Sequence, residues 1–116
     1  MALSENEIWE HVKSLIGRTL LTYVEDKENT ILEVKDTGSP KDEVVIRERS
    51  TYPIREDIVA ACQLLERNKS LCRSFDLYWL AGPEKKTSSI VFRIVGEIYG
   101  DRAKLIKRRP ETLILE

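Results

Sequence analysis

Ser88-Ser89-Ile90-Val91-Phe92-Arg93-Ile94-Val95-Gly96-Glu97-Ile98-Tyr99-Gly100 decides how the back half of this 116-residue chain is read. Ile90, Val91, Ile94, Val95 and Ile98 recur on one arc of a helical wheel. The run therefore predicts a helix that opens at Thr87 or a neighbouring serine, buries that arc and stops at Gly100. Ser89, Arg93, Gly96 and Glu97 fall on the opposite face, which is expected to be polar and open.

Working outward, Gly82-Pro83 cannot easily continue a helix and marks a turn, and Ser74 is placed to cap a short helix over 75–81. Further upstream, Pro53 stands where a first turn tolerates proline. Ile54, Ile58, Ala61, Cys62 and Leu65 then keep helical spacing through Arg67. Downstream, 103–107 and 112–115 are β-prone runs around Arg108-Arg109-Pro110-Glu111, which predicts a terminal hairpin.

The front half begins with a helix-start signature. Ser4 caps, Glu7 reaches back, and Leu3 staples onto Ile8. The inward stripe is expected at Ile8, Val12, Leu15 and Ile16, with Trp9 on the flank and Gly17 as terminator. Leu20, Thr22 and Val24 then alternate, as do Leu32 and Val34 after the turn Asp26-Lys27-Glu28-Asn29. A second turn with Gly38 and Pro40 leads into Val44, Val45 and Ile46, completing a three-stranded antiparallel meander. The expected fold class is α+β in a single domain over 1–116: an N-terminal helix and three-stranded sheet over 1–50, then a helical half with a C-terminal β-hairpin over 51–116.

The formal net charge of −1 conceals a polar chain. Residues 67–110 carry eleven Lys and Arg against four Asp and Glu, whereas residues 1–66 carry eight against fourteen. A basic half of this kind fits an anionic partner, and nucleic acid is the commonest one at this scale. No apolar run approaches a membrane span and no leader pattern follows Met1, so a soluble, cytoplasmic protein without a membrane partner is expected. Cys62 falls on the apolar face of a predicted helix and reads as a buried thiol. With His11 the single histidine and no CxxC pair, neither a zinc site nor a histidine-based triad is supported. No metal or cofactor is expected.

Helix, short helix, tight turn, longer helix and hairpin is the element order of winged helix-turn-helix domains, and residues 53–116 resemble that family. The resemblance implies that the last helix lies in a DNA groove while the hairpin, or wing, touches backbone. On it, Lys85, Lys86, Thr87, Ser89 and Arg93 stand near the groove, and Lys104, Lys107, Arg108 and Arg109 stand on phosphates; the reading gains if Lys86, Arg93 and Arg109 face one side together and fails if they point apart. Backbone N–H groups at the start of the helix would add to the attraction for phosphate. The whole chain also resembles a bacterial domain pattern associated with restriction and mobile-element proteins. The matching pieces are Gly17-Arg18-Thr19-Leu20-Leu21-Thr22, Ile31-Leu32-Glu33-Val34, Tyr52-Pro53-Ile54 and Ser88-Ser89-Ile90-Val91-Phe92-Arg93-Ile94-Val95. It departs from that pattern at Ile98-Tyr99-Gly100-Asp101, where a small-apolar-proline turn would stand.

Glu33-Val34-Lys35 has the spacing of half a metal-dependent nuclease site, but Arg18 to Val24 supplies no second carboxylate to share the metal. The pair is read as a solvated strand face. Phe75, Tyr78, Trp79, Trp9, Phe92 and Tyr99 could act as stacking platforms for single strands, and are read instead as core closure. The expected function is therefore non-catalytic binding of duplex DNA. A protein-interaction or homodimerisation module, served by the acidic turns around Glu25-Asp26 and Asp42-Glu43, is the alternative.

Overall fold

Ser4 begins the first helix as its neighbours require. Its hydroxyl accepts from the Glu7 backbone N–H at 3.1 Å, and the Glu7 carboxylate accepts from the Ser4 N–H at 2.9 Å. The computed structural model describes residues 2–23, 25–82, 85–108 and 110–116. In it, α1 spans Glu5–Lys13 and buries Ile8, Trp9 and Val12. Trp9 is not on the flank but inside, its indole N–H donating to the Lys35 carbonyl at 2.9 Å, while Ile16 lies beyond the helix and is 47% exposed.

The meander follows as β1 (Thr19–Leu21), β2 (Glu28–Val34) and β3 (Val44–Ile46), antiparallel in the order β1-β2-β3. Its facing differs in detail from simple alternation. The pairing of β2 with β3 shifts register between Ile31 and Glu33, so Ile31 and Val34 point inward and Leu32 outward. One extra residue in a strand flips every side chain after it, which a period-two reading cannot anticipate. Glu33 and Lys35 pair with each other at 3.1 Å on the solvated face. Leu20 and Thr22 are buried as expected; Val24, assigned to the same face, lies outside the described residues.

The second half runs α2 (Arg55–Asn68), β4 (Ser70–Cys72), α3 (Asp76–Ala81), α4 (Ser88–Tyr99), a 3-10 turn over Gly100–Arg102, β5 (Ala103–Ile106) and β6 (Thr112–Leu115). Lys69 takes the left-handed conformation at φ 60°, ending α2 and turning the chain into β4. This three-residue strand is too short to show a pattern of its own and exists by pairing with β6. The second sheet has the order β4-β6-β5, so the first of its strands in the chain closes on the last.

α4 is the structural centre. Eight of its residues are buried, including Phe92, Gly96 and Tyr99 outside the expected arc, because α1, α2, α3, β1 and β5 all pack on it. Buried side chains from both halves form one apolar cluster, with Trp9, Phe92, Ile58, Leu65, Ile90 and Ile94 among its largest members. At roughly 25 cal/mol per Å² of apolar surface removed from water, these contacts supply the main drive to fold. Cys62 sits inside this cluster as a free thiol, its pKa pushed up to about 12 by burial.

α3 departs from expectation. Leu77 and Ala81 turn inward, whereas Phe75 is 71%, Tyr78 48% and Trp79 84% exposed. A six-residue helix can bury only one narrow stripe, and here the stripe holds the small and aliphatic residues while the three aromatics share the outer face at i, i+3 and i+4. Among the described residues no helix is long and apolar enough to cross a membrane.

Candidate functional site: a cationic cleft at the start of α4

Thr87 caps α4 only with its backbone. Its side chain makes no bond to the helix's free N–H groups, the hydroxyl donating backwards to the Ala81 carbonyl at 3.4 Å. Among the described residues no side chain accepts from the N-terminus of this twelve-residue helix, the end where its dipole is positive. Lys86, held at φ 56°, stands exposed immediately before it.

Arg49 reaches this place from the far side of the chain. The residue follows β3, and its guanidinium donates from Nε to Asn29 Oδ1 at 2.6 Å, from Nη1 to the Lys86 carbonyl at 3.1 Å and from Nη2 to Ser89 Oγ at 3.2 Å. All three acceptors are neutral. Among the described residues no carboxylate pairs with Arg49, and desolvation lowers its pKa from the ordinary value. A guanidinium nonetheless stays charged at any physiological pH. Arg49 is therefore a half-buried cation without an ion-pair partner among the described residues.

A cleft of about 840 Å³ opens over it, with Tyr23 and Lys27 on the meander side, Lys86 and Ser89 at the helix start, and Phe75 and Pro110 opposite. An adjoining trough of about 590 Å³ shares Lys27, Arg49 and Lys86. Other charges in the cleft are spoken for. Arg73 is paired with Glu111 at 3.0 Å, and Lys27 with Glu25 at 3.0 Å. The site can take an anion with two or more free oxygens: the remaining N–H groups of Arg49, the Lys86 ammonium and the Ser89 hydroxyl are all donors.

The residues singled out in the sequence divide. Lys86 and Ser89 are at the cleft, and the hairpin that carries Lys107 and Arg108 forms one wall of it through Pro110. Both Lys107 and Arg108 are exposed. Lys85 is close by but occupied, its ammonium bonded to both oxygens of Asp57 at 2.9 and 3.0 Å. Thr87 is buried at 1% exposure and presents nothing outward. Lys104 is exposed on the outer face of the terminal sheet, one register position from the inward-facing Leu105 and Leu113 pair. Arg109 lies outside the described residues.

Arg93 does not face an open groove. Its Nε donates to the Leu21 carbonyl at 2.8 Å, its Nη1 pairs with Glu97 at 2.7 Å, and the guanidinium lies 4.9 Å over the Tyr23 ring. The polar face of α4, expected to be free, is covered by β1 and by Tyr23, which also packs edge-on against Phe92 at 5.7 Å. Arg18 adds a second cation on Glu97 at 3.3 Å. Helical spacing identified this face as non-core, but only the fold could show that a separate polar interface covers it.

Arg49 itself escaped the sequence reading. Forty residues separate it from Ser89, and Arg47-Glu48-Arg49 looks like any charged strand end. Among the described residues no group of His, Cys, Asp and Glu is arranged to hold a metal. No family model matches this chain, and no curated protein or solved structure matches it either.

Proposed function

We propose that this protein is a non-catalytic nucleic-acid-binding module that grips the sugar–phosphate backbone at the start of α4. The observation that carries the proposal is Arg49, a half-buried guanidinium with no carboxylate partner among the described residues, which lines a cleft beside a helix N-terminus that Thr87 does not cap with its side chain. Phosphate satisfies both features together, because it brings negative charge to the dipole and acceptors to the free N–H groups. Lys86 supplies an exposed second cation, and Lys107 and Arg108 on the adjoining hairpin extend the grip to flanking phosphates.

The succession α2, β4, α3, α4, β5, β6, with β4 joined to β6, supports the likeness to winged helix-turn-helix domains. It differs from them in use. With β1 and Tyr23 over the polar face of α4, base edges in a groove are out of that helix's reach, and the contacts left to it are with backbone.

Binding to a short oligonucleotide, measured by fluorescence anisotropy at a series of salt concentrations, tests the reading. Four cations on phosphates should give a log–log slope of about −3. Lys86→Ala should shallow that slope by about one charge's worth without loss of fold. An affinity independent of salt would exclude backbone binding, and the module would then be one that serves a protein partner or a second copy.

A further inference from the structure

We propose that the strand held at the cleft is unpaired, with its bases stacked on the aromatic outer face of α3. This rests on the backbone grip just described and names the form of nucleic acid it takes. Three observations lead there. Phe75, Tyr78 and Trp79 form one exposed face, with Tyr78 and Trp79 edge-on at 5.1 Å, on a helix whose other stripe is in the core. Soluble proteins rarely leave a tryptophan 84% exposed beside two other exposed aromatics without a partner for them. Phe75 also lines the same cleft as Arg49 and Lys86, so the aromatic face begins where the phosphate site ends.

The occupant follows from chemistry. In a duplex the π-faces of the bases are covered by their neighbours, so only an unstacked base can lie on an aromatic ring. α4, which would read a duplex from its groove, is closed over by β1 and Tyr23. A ligand that offers flat apolar faces at intervals along a negatively charged chain matches aromatics beside the Arg49 and Lys86 cations, and single-stranded nucleic acid is such a ligand. Lys86, exposed at the cleft that Phe75 lines, and Lys107 and Arg108, exposed on the hairpin that walls it, favour a polyanion over an apolar protein surface.

The chain carries its own reporter. Trp9 is 2% exposed and hydrogen-bonded inside, so a change in tryptophan emission on titration comes from Trp79. The 116-residue chain is titrated at low salt with a 12-nucleotide oligothymidine, with a 12-base-pair duplex, and with inorganic phosphate. The expected result is quenching by the single strand, an affinity at least tenfold above that for the duplex, and no quenching by phosphate. Trp79→Ala and Phe75→Ala should each weaken single-strand binding about 5- to 150-fold, the range for loss of one stacked base, while Trp79→Phe retains it. Circular dichroism should be unchanged, since these side chains are outside the core.

Equal affinity for single strand and duplex, reduced by Lys86→Ala but not by Trp79→Ala, would overturn the stacking proposal and leave the backbone grip standing. Absence of binding to either oligonucleotide would remove both. Self-association in sedimentation that Trp79→Ala abolishes, with oligonucleotide binding untouched, would assign the face to a second copy and overturn the proposal as well.

Discussion

Gly96 and Tyr23 are fitted to one another: a Cβ built on Gly96 would stand 1.9 Å from the Tyr23 hydroxyl oxygen and 3.0 Å from the ring carbon that bears it. This contact seals the meander against α4. Tyr23 cannot swing aside cheaply, since Phe92 lies edge-on to its ring and the Arg93 guanidinium covers it.

Gly96→Ala is therefore expected to destabilise the fold even though alanine is the better helix former. Overpacking costs about 1–3 kcal/mol and the propensity gain returns about 1 kcal/mol, leaving a net loss of up to about 2 kcal/mol. Tyr23→Phe removes the atom that clashes hardest, so the double variant should recover most of the loss. Urea midpoints for the four proteins of this cycle check the coupling, and additive effects would refute it.

Arg93 and Lys86 should separate stability from binding. Arg93→Ala loses a hydrogen bond to Leu21, an ion pair with Glu97 and a cation–π contact, which together are worth about 1–3 kcal/mol. Its melting temperature should fall while the salt dependence of oligonucleotide binding stays as in the parent. Lys86→Ala should do the reverse. A change in salt slope for Arg93→Ala would show that this arginine reaches phosphate after all.

Arg49→Lys keeps the charge and loses the fork. A single ammonium cannot serve Asn29 Oδ1, the Lys86 carbonyl and Ser89 Oγ together with the planar spacing of a guanidinium. Stability is expected to drop by about 1–2 kcal/mol through the acceptors left unmet. Oligonucleotide affinity should fall at least fivefold, with the salt slope nearly retained. Unchanged affinity would move the phosphate site away from Arg49.

Acid should unfold the protein partly through Asp42. Its carboxylate accepts from Thr37 Oγ1, from the Thr37 N–H and from the Gly38 N–H, and these bonds, the Thr37 hydroxyl first, lower its pKa from the ordinary 3.8. The native state then binds fewer protons than the unfolded chain. The stability this group contributes is complete above pH 3.8 and is lost as pH falls through the lower folded value. Glu48, held by the Thr30 N–H, acts in the same direction. Asp57 runs the other way: burial raises its pKa, so its contribution weakens as pH rises from 3.8 to the folded value. Urea midpoints between pH 7 and pH 3 should show a shallower acid limb for Asp42→Asn and a steeper one for Asp57→Asn.

Local order was legible wherever a signal lies within one turn or one strand. The Ser4–Glu7 capping box, the stripe of α2 and the hairpin of β5 and β6 could be read from neighbouring residues, because capping, helical periodicity and turn chemistry act over three or four positions. The β2 bulge, the inward Trp9 and the outward aromatics of α3 could not, since each depends on which surface a distant element presents.

The candidate site divides along the same line. That cations gather around the start of α4, at Lys85 and Lys86, is a property of chain order, and so is the basic surplus of residues 67–110. Which of those cations remain free is decided by packing. Asp57 from α2 takes Lys85, and Tyr23 and Leu21 take Arg93. Arg49, arriving from the end of β3 across forty residues, lines the cleft with no carboxylate partner among the described residues. Sequence determines the charges a chain carries, because each belongs to one residue; only the tertiary structure decides how they are spent, because neutralisation is a matter of distance in space.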